Sequence, residues 1–178
     1  MDINFRSRIV RRVLLVVLLG ASQLVMAAPA IQHWVTDSGA RVYFVPATGL
    51  PMVDVNITFA AGSARDDDRP GVANMTRLLL DKGADGMSAD EIAQQVESLG
   101  AEHSTSSARD MGWAELRTLS DAAHLEPALD ILARVIGSPD FNKKDFERER
   151  KRTLVAIQRS EQSAATVASN EIFHAVYG

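Results

Sequence analysis

The sequence predicts an α+β fold. Three observations carry this: short alternating segments come first, helix-period segments follow and are interspersed with further strands, and no glycine-rich dinucleotide fingerprint joins a strand to a helix.

Taken in order, His33–Thr36 and Arg41–Val45 read as short strands around Asp37-Ser38-Gly39, a hairpin signal. Met52 to Phe59 alternates: Val53, Val55, Ile57 and Phe59 face one way, and Asp54, Asn56 and Thr58 the other. Ala60–Gly71 reads as a loop, with Asp66-Asp67-Asp68 solvated in it; a calcium site needs more oxygen ligands at defined spacing. GVANMTRLLLDKG, Gly71 to Gly83, is an amphipathic helix with a glycine at each end that buries Val72, Met75 and Leu79. A second helix starts on the capping box Ser88 to Glu91, buries Ile92, Val96 and Leu99, and stops at Gly100. Glu102 to Leu119 reads as two strands. Glu126 to Ile136 is a third helix with Pro127 in its first turn and Leu129, Leu132 and Ile136 inward. A charged fourth helix spans Asp145 to Arg159, and Ala164 to Tyr177 adds a fifth.

Of the 178 residues, 46% are hydrophobic and 24% charged, which suits a packed core and argues against disorder. The net charge of −4 gives no reason to expect nucleic acid. With no cysteine, disulfides and thiolate metal sites are excluded. Residues 1–27 have the three parts of a secretory signal peptide: Arg6, Arg8, Arg11 and Arg12, the apolar run Val13–Ala27, and the small residues of VMAAPA. Gly20, Ser22 and Gln23 interrupt a run already short for a span of roughly 20 apolar residues. Cleavage near Ala27 is expected, leaving residues 28–178 periplasmic or secreted and free of the membrane.

Inside the Gly71–Gly83 helix, Asn74, Arg77 and Leu78 stand at i, i+3 and i+4 and so share one face. An amide, a guanidinium and an isobutyl group at these places supply no general base and no metal-ligand set. They can be read simply as two polar residues on a solvated face beside one more core residue. Elsewhere the four histidines, His33, His103, His124 and His174, form no HExxH pattern; Glu102-His103 on a strand points to opposite faces; Gly62-Ser63-Ala64 is no nucleophile elbow. Arg148 to Arg152 alternates with Glu147 and Glu149, as on a salt-bridged helix surface.

The order of the motifs resembles the N-terminal domain of the insulinase/pitrilysin zinc metallopeptidase family. The stretches that carry it are FAAGSARDDDRPGVANM, LLLDKGADGMSADEIAQQVESLGA, SARDMGWAELRTLS and AAHLEPALDILARVIGSPDFNKKDFERERKRTLVAI, nearly all of residues 28–178. The resemblance implies an antiparallel-rich sheet with helices packed on one side, incomplete at its C-terminus. In active members the helix reads G-[LV]-A-H-x-x-E-H: two histidines hold one zinc ion and the glutamate polarises the attacking water. Matched motif to motif, the first histidine falls on Asn74, the glutamate on Arg77 and the second histidine on Leu78. The third ligand, from a pattern like F-E-R-E-x-x-x-x-L-E-E-I, falls on the pair Val155-Ala156, with Val155 assigned the ligand place. The resemblance therefore implies no zinc and no catalytic residue, with Leu78 and Val155 packed where the ion would sit. It also implies a polar strand edge at Ser104-Thr105-Ser106-Ser107, matching the N-A-x-T substrate edge of relatives with serine for asparagine. An open edge can add an extended peptide.

Three functions follow: a non-catalytic subunit that completes a substrate chamber beside a zinc-bearing homologue, an active metallopeptidase using an unrecognised metal site or activity supplied in trans, or a plain peptide-binding module. Because relatives continue through further strands and a second domain, a truncated domain with uncovered apolar helix faces is expected.

Overall fold

A computed structural model describes residues 30–177; the expected signal peptide, 1–27, lies outside the described residues. The chain divides into two units between Leu50 and Pro51. In the first, β1 (Gln32–Val35) and β2 (Arg41–Phe44) pair antiparallel in the register His33–Tyr43 and Trp34–Val42. Thr36 and Gly39, at φ +85°, close the hairpin, with the Ala40 N–H donating to Thr36 Oγ1 at 3.0 Å.

The second unit is built on a three-stranded antiparallel sheet in the order β3 (Met52–Phe59), β7 (Gly112–Leu119), β6 (Glu102–Ser107). Alternation fixes its two faces. Val53, Val55 and Ile57 of β3 and Ala114, Leu116 and Thr118 of β7 turn toward the helices, while Asp54, Glu115 and Arg117 are exposed on the opposite face. The α+β class with helices on one side is thus what the chain adopts. The helices are α1 (Val72–Leu79), α2 (Ala89–Ser98), α3 (Ala122–Gly137), α4 (Lys143–Glu161) and α5 (Ala164–Tyr177). The core lies between α3 and the sheet, where Ala128 and Leu132 meet Ala114 and Leu116, and between α3 and α2, where Ile131 and Val135 meet Ile92 and Val96.

Several boundaries differ from expectation. The first helix is shorter: α1 ends at Leu79, and Gly83 opens a hairpin of β4 (Gly83–Ala84) and β5 (Met87–Ser88). Asp85 and Gly86 carry φ +51° and +80°, the two positive angles that a tight hairpin turn requires. Val72 is 47% exposed, not buried. The capping box on α2 forms as predicted: the Glu91 N–H donates to Ser88 Oγ and the Ser88 N–H to Glu91 Oε2. Helix α3 begins at Ala122, not Glu126, with Asp121 at the N-cap, so Pro127 sits in its second turn. Its inward face is Ala128, Ile131, Leu132 and Val135, with Ile136 packed beside them, and Leu129 is exposed.

Helix α4 reverses the usual pattern. Its inward line is polar, Asp145, Glu149 and Thr153, whereas Phe146, Leu154, Val155 and Ile157 are exposed. Glu149, expected on a charged surface, is 4% exposed, and its Oε1 accepts from Arg148 and Arg152 at 3.3 and 3.2 Å. No residue of α5 is buried, and its Val167, Ile172, Phe173 and Val176 are exposed.

Candidate functional site

The site is built on α1. The loop before it is not simply solvated: Asp66 reaches forward as a remote cap, its Oδ2 accepting from the Gly71 N–H at 2.7 Å and its Oδ1 from the Ala73 N–H at 2.9 Å. A carboxylate there satisfies two of the orphan donors of the first turn and complements the helix dipole. Gly71, at φ +101°, has no side chain to do this itself. Upstream, Gly62 lets the chain run against the β6–β7 turn, where the Ser63 N–H donates to Ala108 O at 3.1 Å. A Cβ on Gly62 would meet three backbone atoms at 2.7 to 2.8 Å.

Held this way, α1 lies against β6 and α4. Asn74, Arg77 and Leu78 are all half-buried, so Asn74 and Arg77 are not on a solvated face. The Arg77 Nε–H donates to Asn74 Oδ1 at 3.1 Å. The Thr105 hydroxyl donates to the Arg77 carbonyl at 2.9 Å, pinning this turn of α1 to β6. Along Ser104-Thr105-Ser106-Ser107 the side chains alternate, so Ser104 and Ser106 share the open sheet face with Asn56 and Glu115, and Thr105 and Ser107 face the helices. Among the described residues β6 pairs only with β7, and its other backbone edge is open.

Val155 does not join Leu78 in a filled cavity: it is 38% exposed. Its neighbour Ala156 is exposed too, but it lies seven residues after Glu149 and three after Thr153 and so shares their helical phase, while Val155 points roughly 120° away. Of the two residues matched to the glutamate pair, Ala156 is the one in phase with that line.

These groups do not fit zinc. The single oxygen donor, Asn74 Oδ1, is uncharged and already accepts from Arg77. Leu78, Val155 and Ala156 have no donor atom, and the guanidinium of Arg77 stays protonated and opposes a cation. Among the described residues no three His, Asp or Glu side chains converge as a metal cluster, and no helix is long and apolar enough to cross a membrane.

The histidines are placed structurally. His124 Nδ1 lies 2.7 Å from Asp121 Oδ1 at the start of α3, and this hydrogen bond holds the Asp121 carboxyl below its ordinary pKa. His103 Nδ1 is 3.0 Å from Glu115 O, on the face away from exposed Glu102, as alternation requires.

The open sheet face carries an arrangement that motif reading passed over. Asn56, Glu115 and Ser104 stand in one row across three strands, with Asn56 Nδ2 donating to Glu115 Oε1 at 2.8 Å and Ser104 Oγ to Glu115 Oε2 at 3.1 Å. In the next row Arg117 grips Asp54 with two N–H groups, at 2.6 and 3.3 Å, holding the carboxyl low and the guanidinium high. The period-2 pattern was the available signal, and these groups are engaged with one another as cross-strand pairs.

Residues 43–178 match the family model described as Insulinase (Peptidase family M16). Among solved structures the chain is similar to a peptidase M16 inactive domain from Pseudomonas fluorescens at 39% identity and TM-score 0.79, covering 81% of this chain and 35% of that one. Pitrilysin is similar in fold at 24% identity and TM-score 0.62, over 76% of this chain and 15% of its own. The periplasmic protease PqqL from Escherichia coli is similar at 18% identity and TM-score 0.68, over 79% and 16%. The chain thus spans about a third of the first of these and less of the others. A search of curated proteins found no match.

Proposed function

The chain belongs to the insulinase peptidase family, M16, and from that premise we propose that it is a zinc-less member, exported and acting as the non-catalytic partner of a zinc-bearing homologue, whose substrate chamber it helps to shape. The observation that carries this reading is the Arg77 to Asn74 hydrogen bond on α1. It closes two of the three α1 positions on each other, as cation and neutral acceptor, where the resemblance calls for a base and a ligand. The Pseudomonas fluorescens domain is itself described as inactive, and that supports the same conclusion. Export rests on the basic start and apolar run of residues 1–27.

A partner supplies the hydrolysis in this account. The exposed apolar residues of α4 and α5 favour a life in an assembly, because such a surface is costly alone in water. The full chain, tagged at its C-terminus and expressed in its native host, is expected to bring down a homologue that carries H-x-x-E-H, and to raise that homologue's peptidase activity when the two are mixed. A stable monomer that recovers no such homologue and leaves its activity unchanged would refute the partnership.

A further inference from the structure

We draw no further inference here: the strongest candidate, the exposed apolar surface of α4 and α5 that includes Leu154, Ile157, Ile172 and Phe173, stands unpartnered, and nothing in the structure shows what covers it.

Discussion

Replacing Asp66 by alanine removes the acceptor of two N–H groups at the start of α1, from Gly71 at 2.7 Å and Ala73 at 2.9 Å. Losing an N-cap acceptor costs roughly 0.5–2 kcal/mol. Two donors are orphaned here and the acceptor is charged, which places the cost in the upper half, about 1.5 kcal/mol. Water can reach the exposed Gly71 N–H, and that keeps the cost below the sum of two buried losses. Helix α1 has only eight residues and little propensity of its own to offset the loss. A destabilisation of about 1.5 kcal/mol is slightly more than tenfold in the folding equilibrium. With a urea dependence of roughly 1–3 kcal/mol per molar, the unfolding midpoint should drop by roughly 0.5–1.5 M. Amide exchange at Gly71 and Ala73 should quicken beyond the global change. Asp68→Ala, whose carboxylate caps nothing, should stay within about 0.5 kcal/mol of the parent. An unmoved midpoint for Asp66→Ala, or an equal shift for Asp68→Ala, would refute the capping role.

Gly62→Ala should cost about 3 kcal/mol or more, read from the same urea curves, because φ +119° disfavours any side chain and the new Cβ meets only backbone. Acid sensitivity follows from three lowered carboxyls: Glu91 through the Ser88 N–H and hydroxyl, Asp54 through Arg117, and Asp121 through His124. Their folded pKa values lie below the unfolded ones, so the stability they lend is complete above the ordinary carboxylate value of roughly 4 and is lost as pH falls through the folded values. Midpoints measured against pH should fall below roughly pH 4, and Glu91→Gln should flatten that limb. A rebuilt metal site tests the geometry of α4: Asn74→His, Arg77→Glu and Leu78→His should bind one zinc when combined with Ala156→Glu and markedly less well with Val155→Glu, by calorimetry.

Much of this fold is legible because its main strands alternate. Val53, Val55 and Ile57 against Asp54 and Asn56 leave one orientation for β3, and Ser88 with Glu91 marks the start of α2 to the residue. The hairpin at Gly83–Ser88 escaped because two-residue strands have no period, although Asp85-Gly86 is a turn signal. The start of α3 escaped because Asp121 caps no N–H with its side chain and Ala122-Ala123 has no apolar face to display. Periodicity misleads on α4, where Glu149 is buried and Leu154, Val155 and Ile157 are exposed. At the site, motif order located Asn74, Arg77 and Leu78, but only geometry could show that Arg77 occupies the Asn74 oxygen and that Thr105 fastens their helix to β6.

The central claim is that a divalent ion finds no hold between α1 and α4. Zinc titration of the full chain by calorimetry at neutral pH, followed by metal analysis after gel filtration, tests it most directly. The account predicts no saturable heat and far less than one zinc per chain. One zinc per chain, lost on Asn74→Ala, would contradict it.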